Sequence, residues 1–241
     1  MSQGFELKRD GAIARVTLDR SEVGNMLTLA QVSGLARAVR EAGSDAAVKA
    51  IVLGGKGDDF CRGRDPAGAP EAKPTTAVEM RNALIEPILG LYRAIRDAAV
   101  PVVAVVQGSA RGLGCGVAAV CDVAIAADSA RFSLPEMKAN LPPTLAMLAH
   151  LDRVPSKALL WMVLSTGEID ANRARDWGLV SEVAPAADLQ ARAEAFLNGL
   201  AGFERDPLAT CKSYLQRARQ ADYATANDLA GNLLSVVLSS R

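Results

Sequence analysis

The 241-residue sequence predicts an α/β fold, in which apolar strands alternate with amphipathic helices. β-Rich apolar runs at residues 48–53, 100–106 and 123–127, of which the first is interrupted by Lys49, are typical of strands that are covered on both faces. Between these runs, apolar side chains recur every three or four residues, which is the periodicity of a helix with one buried face. Strands and helices that alternate in this way indicate an α/β architecture.

The first elements can be placed from local patterns. Residues 12–18 alternate between apolar and polar side chains, which predicts a half-buried strand. Thr28 and Gln31 have the spacing of a capping box, so a helix is expected to begin just after Thr28. Apolar side chains then recur at helical intervals as far as Gly43: Leu29, Val32, Ala36 and Val39.

A second helix is predicted between residues 80 and 95, where five apolar side chains share one helical stripe: Met80, Leu84, Ile88, Leu91 and Ile95. Pro87 lies within this stretch and is expected to kink the helix, because proline cannot donate a backbone hydrogen bond. Residues 67–76 are rich in Pro, Gly and Ala and are therefore expected to form a loop.

The pattern changes in the last third of the chain. Asp170 is expected to cap a helix that ends at Gly178, and residues 179–183 to form the last strand. Beyond that point only helical patterns remain, over residues 189–200, 208–218 and 223–238. We therefore expect a core, residues 1–185, and a C-terminal helical region, residues 186–241, whose exposed apolar side chains suit packing between subunits.

Composition argues against several classes of function. Lys and Arg together number 27 and so do Asp and Glu, so the chain has no net positive charge with which to bind nucleic acid. The longest apolar runs are too short to cross a bilayer, and residues 1–9 lack the pattern of a targeting segment. We therefore expect no nucleic-acid partner, no membrane partner and a cytoplasmic location.

Cysteine and histidine usage argues against a metal site. The four cysteines show none of the paired short spacings that build zinc or redox sites: Cys61, Cys115, Cys121 and Cys211. His150 is the only histidine, and its apolar neighbours in a predicted helix favour a structural role. No metal is expected, and acid/base chemistry near neutral pH is left to the carboxylates.

Two glycine-rich segments, residues 54–65 and 107–116, each follow one of the apolar runs. In open α/β sheets ligands bind beyond the carboxyl ends of the strands, where glycine-rich turns leave backbone N–H groups free to meet an anion. Taken alone, Gly112-Leu113-Gly114 fits a tight strand-to-helix turn better than it fits a ligand site.

The order of the motifs is more specific than any one of them. Six segments follow one another along the chain: Asn25-Met26-Leu27, Phe60-Cys61-Arg62-Gly63-Arg64-Asp65, residues 101–108, Gly112-Leu113-Gly114 with Cys121-Asp122, residues 130–136 and residues 177–180. Over about residues 5–185 this order resembles the enoyl-CoA hydratase/isomerase (crotonase) family. The resemblance implies a spiral of ββα units with a C-terminal helical region used for trimerisation. It also implies a homotrimer or homohexamer. The substrate it implies is a thioester carried on coenzyme A. Because coenzyme A is then part of the substrate, no cofactor is expected.

The resemblance also assigns the site residue by residue. Backbone N–H groups of Arg64 and Leu113 are expected to form an oxyanion hole, with Glu136 as the catalytic acid/base residue. Four residues are expected to contact the substrate: Met26, Arg62, Gly112 and Pro143. For the phosphates of coenzyme A the candidate cations are Arg62, Arg64 and Arg111, although these arginines also fit the description of solvated loop charges.

One departure from the family pattern bears on the reaction. Hydratases of the family use two glutamates, whereas this chain has Gly116 at the first position and Glu136 at the second. A single base suits a double-bond isomerase, with hydration still possible and Gly116→Glu expected to favour it if there is room. The alternatives are an acyl-CoA hydrolase, decarboxylase or dehalogenase on the same fold, or a non-catalytic acyl-CoA-binding protein.

Overall fold

The computed structural model of the protein describes residues 3–67 and 74–239, so most of the predicted loop at residues 67–76 lies outside the described residues. In chain order, the strands of the described part are β1 (Phe5–Asp10), β2 (Ile13–Leu18), β3 (Ala50–Gly55), β4 (Val102–Val106), β5 (Ser109–Arg111), β6 (Val123–Ala127), β7 (Arg131–Ser133), β8 (Ile169–Asp170) and β9 (Glu182–Ala184).

The α-helices of the same ranges are α1 (Leu29–Ser44), α2 (Ala77–Met80), α3 (Glu86–Asp97), α4 (Leu113–Val120), α5 (Thr144–His150), α6 (Ser156–Ser165), α7 (Ala171–Asp176), α8 (Leu189–Gly202), α9 (Arg205–Ala218) and α10 (Tyr223–Ser239). A π-helical segment, Arg81–Ile85, joins α2 to α3, and one turn of 3₁₀ helix, Glu136–Ala139, follows β7. The predicted α/β class is confirmed.

The strands form two sheets. The larger sheet has the order β1-β2-β3-β4-β6-β9, in which β1 and β2 are antiparallel and every later neighbour pair is parallel. The smaller sheet has the order β5-β7-β8. The sequence does not predict β1, of which only Phe5 is buried, or the smaller sheet, whose strands of two or three residues are too short to show periodicity.

The apolar runs form the centre of the larger sheet. All five residues of β4 are buried, and β6 has the predicted bounds. The predicted last strand at residues 179–183 is displaced, because the N–H groups of Leu179 and Val180 both donate to the carbonyl of Ala174 at the end of α7. The strand pairing therefore begins only at Glu182.

The helix signals are largely confirmed. Thr28 caps α1 through a complete capping box, since its hydroxyl accepts from the N–H of Gln31 and its own N–H donates to the Gln31 side chain. Asp170 caps α7 by accepting from the N–H of Arg173. Near Pro87 the helix changes its winding: the π-helical segment ends immediately before α3, whose second residue is Pro87.

The C-terminal helices differ in how deeply they pack. Leu189, Ala193 and Leu197 of α8 are buried in the common core against the larger sheet. α10 packs along α9, and no residue of α10 within the described range is buried. None of the described helices is long and apolar enough to span a membrane.

Candidate active site

The two glycine-rich segments meet at one edge of the larger sheet, because β3 and β4 are parallel neighbours. The N–H of Cys61 donates to the carbonyl of Ser109 (3.0 Å), and the N–H of Arg111 donates to the carbonyl of Cys61 (3.0 Å). Gly114 permits this approach, since a Cβ atom built on it would lie 2.0 Å from the Cys61 carbonyl oxygen. The segments therefore form one continuous backbone surface.

The backbone around Arg64 leaves its N–H unpaired. Leu27 bonds to both neighbours of Arg64: its N–H donates to the Gly63 carbonyl (3.1 Å) and its carbonyl accepts from Asp65 (2.9 Å). In such a parallel bridge the N–H of the intervening residue points to the opposite side. The Arg64 N–H has no acceptor within residues 3–67 and 74–239, and the Arg64 side chain is exposed.

The N–H of Leu113 is unpaired for a different reason. Leu113 is the first residue of α4, and the first N–H groups of a helix have no partner within the helix. Gly112 precedes it with φ of 51° and offers no capping side chain. The Leu113 N–H therefore has no acceptor in the described part of the chain, and it lies at the positive end of the helix dipole.

Glu136 lies beside this helix start. The N–H of Gly112 donates to the carbonyl of Ser133 (2.9 Å), the last residue of β7, three residues before Glu136. A Cβ atom built on Gly112 would lie 2.7 Å from Oε1 of Glu136, so the carboxyl group occupies the space above Gly112, next to Leu113. The structure therefore brings together three residues that the sequence predicts for the site.

The environment of the Glu136 carboxyl suits a base. Its Oε2 atom is buried and has no hydrogen-bond partner among the described residues. Burial raises the pKa of Glu136 above the ordinary value for a glutamate, because the charged form loses hydration. A carboxylate with a raised pKa accepts a proton more readily near neutral pH.

The position of the second family glutamate is filled by another side chain. Gly116 is buried in α4, and a Cβ atom built on it would lie 2.1 Å from the hydroxyl oxygen of Tyr92. Gly116→Glu was expected to favour hydration only if there is room, and a glutamate here would require the Tyr92 side chain to move. Only its helical spacing could have indicated Tyr92, which lies four residues after Ile88 on the buried face of α3.

Two predicted substrate contacts lie in one open groove of about 820 Å³. Met26 and Arg62 line it together with Arg111 and with Pro135, the neighbour of Glu136. Three acidic residues share the same groove: Glu22, Asp58 and Asp59. The groove is therefore lined by side chains of both charges, with two guanidinium groups among them.

Pro143 and Arg64 are placed differently. Pro143 is buried at the start of α5, where its carbonyl accepts from the N–H of Met147 (2.8 Å), and it is not among the residues that line the groove. Arg64 is also absent from the lining. Contact of Pro143 with the substrate therefore stays a prediction.

Asn25 holds one wall of the groove. Its side-chain N–H groups donate to the carbonyls of Lys56 (2.9 Å) and Asp59 (2.7 Å), and its Oδ1 accepts from the N–H of Arg20. Asn25 is fully buried and has a positive φ of 57°. The motif around Asn25 thus fixes the loop that follows β3.

His150 and Cys115 form a buried pair behind the site. The N–H at Nδ1 of His150 donates to the Ala146 carbonyl (2.7 Å), which leaves Nε2 to accept from the Cys115 thiol (3.4 Å). Burial lowers the pKa of His150 to about 4 and raises that of the Cys115 thiol, so both groups are neutral at pH 7. This geometry favours the structural role predicted for His150.

Comparison with known proteins shows extensive similarity. The family profile described as enoyl-CoA hydratase/isomerase matches residues 8–240. The probable enoyl-CoA hydratase echA8 of Mycobacterium tuberculosis is 32% identical over 213 residues, which cover 88% of this chain and 80% of that protein.

Solved structures agree with this chain over almost its whole length. Human enoyl coenzyme A hydratase domain-containing protein 3 superposes with a TM-score of 0.91 at 25% identity, covering 98% of this chain and 92% of that one. A putative enoyl-CoA hydratase from Thermobifida fusca, solved in complex with CoA, superposes with a TM-score of 0.86 at 27% identity, covering 99% of this chain and 94% of that one. The fold is thus the one that the sequence resemblance implies.

Proposed function

The chain belongs to the enoyl-CoA hydratase/isomerase family, and we propose that its reaction is a proton transfer on an acyl-CoA thioester, with Glu136 as the single base. The observation that carries this proposal is the Glu136 carboxyl, which is partly buried, lacks a partner on Oε2 among the described residues and lies over Gly112. The reaction that fits it best is a shift of a carbon–carbon double bond.

The steps follow from the positions of the groups. The Glu136 carboxylate takes a proton from the carbon next to the thioester carbonyl, and the electron pair moves onto the thioester oxygen. The N–H groups of Arg64 and Leu113 donate to that oxygen and stabilise the enolate. Each such donor typically contributes on the order of 3 kcal/mol to transition-state stabilisation. The protonated Glu136 then returns the proton two carbons along the chain.

Isomerisation is favoured over hydration by the group opposite Glu136. Water addition divides its work between orienting water and transferring protons, which two carboxylates do better than one. Position 116 is glycine, and the space beside it holds a neutral tyrosine hydroxyl instead of a carboxylate. A single base that picks up and returns one proton needs no second carboxylate.

We expect the groove to bind coenzyme A, which carries the acyl group. Arg62 and Arg111 can pair with its phosphates, and the similar Thermobifida fusca protein was solved with CoA bound. Glu22, Asp58 and Asp59 in the same groove outnumber these two cations, so the phosphates must be held by direct pairing with Arg62 and Arg111 and not by a net positive charge of the groove. The phosphate contacts of this chain therefore depend on few cations.

The other reactions considered for this fold have less support. A hydrolase or dehalogenase needs another nucleophile or base, and Cys115 and His150 are fully buried and neutral. A non-catalytic acyl-CoA-binding protein would retain the groove but show no proton exchange. A homotrimer or homohexamer in the cytoplasm is the setting we expect for the enzyme.

A panel of acyl-CoA thioesters in deuterated water tests the proposal. We expect a 3-enoyl-CoA to be converted to the 2-enoyl isomer with deuterium incorporated, and a 2-enoyl-CoA to gain little or no water. Mass spectrometry separates the outcomes, because hydration adds the mass of one water and isomerisation does not. Rapid hydration of the 2-enoyl thioester, or binding with neither isomerisation nor deuterium uptake, would contradict it.

A further inference from the structure

Tyr92 is a buried polar side chain that the mechanism above does not use. It lies on α3 and is 3% exposed. Its hydroxyl has no hydrogen-bond partner in the described ranges, although buried hydroxyls of tyrosine are usually bonded. An unbonded hydroxyl on a buried tyrosine side chain at this place needs an explanation.

The hydroxyl faces the first turn of α4, where Glu136 also lies. Gly112 and Gly116 are one helical turn apart, with the N–H of Gly116 donating to the Gly112 carbonyl (2.9 Å). Glu136 covers the first of these glycines and Tyr92 the second. The carboxyl and the hydroxyl therefore lie over the two ends of the same turn.

Two groups without a hydrogen-bond partner therefore lie over the same turn. Oε2 of Glu136 is an acceptor without a donor, and the Tyr92 hydroxyl is a donor without an acceptor, within the part of the chain that is described. Burial raises the pKa of Tyr92, with the Glu136 charge as a further contribution, so the phenol stays protonated. A protonated phenol is a hydrogen-bond donor and not a base.

We propose that Tyr92 is a positioning residue of the active site, whose hydroxyl donates a hydrogen bond to Oε2 of Glu136 when an acyl-CoA thioester is bound. This proposal rests on the proposed function of Glu136. Catalytic hydrogen bonds are often long in a substrate-free enzyme and shorten in the complex. The bond would hold Glu136 with Oε1 towards the substrate, and it explains why position 116 is glycine.

The bond has a definite effect on Glu136. A donor to a carboxylate stabilises its charged form and lowers its pKa, so loss of the hydroxyl must raise that pKa. The low-pH limb of the pH profile of kcat/KM, which reports the pKa of Glu136, would then move to higher pH in Tyr92→Phe. On the plateau, kcat should fall roughly tenfold or more, as expected for a hydrogen bond to a charged group, whereas CoA affinity should hardly change.

The test compares Tyr92→Phe with Tyr223→Phe, which removes the same hydroxyl from a side chain that is 88% exposed and remote from the groove. The readout is deuterium exchange and isomerisation as a function of pH. We expect the limb to shift and kcat to fall only in Tyr92→Phe. An unshifted limb, or an unchanged kcat, would overturn the role of Tyr92.

Two further measurements separate the possible failures. If wild type exchanges deuterium and Glu136→Gln does not, the proposed function stands whatever Tyr92→Phe does. If the wild-type enzyme shows no exchange, the proposed function fails first. A crystal structure of the wild-type protein with a bound acyl-CoA analogue needs no variant that could fail to fold. A Tyr92 hydroxyl within about 3 Å of Oε2 of Glu136 would support the proposal, and a hydroxyl beyond hydrogen-bonding distance would overturn it.

Discussion

At the scale of single residues, the site depends on glycines that bring backbones together. Gly114 lies against the carbonyl of Cys61, and a Cβ atom on Gly108 would lie 1.9 Å from the Asp58 carbonyl oxygen. Both contacts involve main chain, which cannot rotate out of the way as a side chain can. The convergence of the two loops thus requires residues without a Cβ atom.

A pair of Gly→Ala changes tests this requirement. Gly114→Ala should destabilise the protein by about 1–3 kcal/mol or more, since overpacking at a buried backbone contact forces the loops apart. Gly90→Ala is the control: it lies in α3 with no atom near its added Cβ, so alanine should stabilise by about 0.5–1 kcal/mol. Urea unfolding measures both. Equal free energies for the two variants would contradict the contact.

His150 gives a second residue-scale prediction, on pH. Its folded-state pKa of about 4 lies below the unfolded value near 6.5, so the unfolded chain binds the proton more tightly between these pH values. Stability should therefore fall as the pH drops from about 6.5 to about 4, by an amount on the order of 3 kcal/mol.

The measurement is the free energy of unfolding of wild type and His150→Gln across that range. Gln cannot take up the proton, so the difference between the two proteins should shrink as the pH falls. Because His150 is the only histidine, no other imidazole contributes. A difference that stays constant from pH 7 to pH 4 would show that His150 titrates normally.

At the scale of elements, the sequence predicted those with a strong local signal. The capping box at Thr28 and the buried runs of β4 and β6 were found because a cap and a continuous apolar run are local patterns. β1 and the smaller sheet were missed because their strands are short or mostly exposed. Long-range pairing forms those strands, and no local pattern encodes it.

An ion pair that is largely buried is one of the contacts that anchor helix α9. Nζ of Lys212 lies 2.8 Å from Oδ2 of Asp122 and donates to the carbonyls of Ile95 (2.9 Å) and Val100 (3.2 Å). Its side chain is only 5% exposed. The contacts tie the C-terminal helices to α3 and to the strand that leads into the active site.

Removing this cation should loosen α9. Lys212→Met leaves the Asp122 charge without its partner and should destabilise the protein by about 3–5 kcal/mol. Lys157→Met, at an exposed position of α6, is the matched control and should change stability by less than about 0.5 kcal/mol. Similar urea midpoints for the two variants would refute the anchoring role.

At the scale of the whole molecule, α10 suggests assembly. Leu234, Val236 and Leu238 are each more than half exposed, and α10 packs mainly along α9 within the described chain. Exposed apolar residues on a terminal helix are commonly covered by another subunit. An equal number of positive and negative residues offers little net repulsion against self-association.

We therefore expect a trimer or a multiple of it, as the family resemblance implies. Sedimentation at micromolar concentration should give that mass for the full chain, and a smaller mass after deletion of residues 222–241. A full-length protein that sediments as a stable monomer would contradict the expected assembly. If the deletion variant keeps the same number of subunits, the interface between subunits does not involve α10.

The candidate site was predicted mainly from the order of motifs. Residues 25–27, 60–65 and 130–136 pointed to one place, and the structure brings Arg64, Leu113 and Glu136 into neighbouring segments. Tyr92 could not be found this way, because it reaches the site from α3, and only three-dimensional packing puts it beside Gly116.

The central claim is that Glu136 is the only proton carrier, and deuterium exchange at the carbon next to the thioester carbonyl tests it most directly. In Glu136→Gln, size and hydrogen bonding are kept but basicity is lost, so exchange and turnover should fall roughly 10²-fold or more with nearly unchanged acyl-CoA affinity. Exchange at the wild-type rate in Glu136→Gln would contradict the role of Glu136 as the single base.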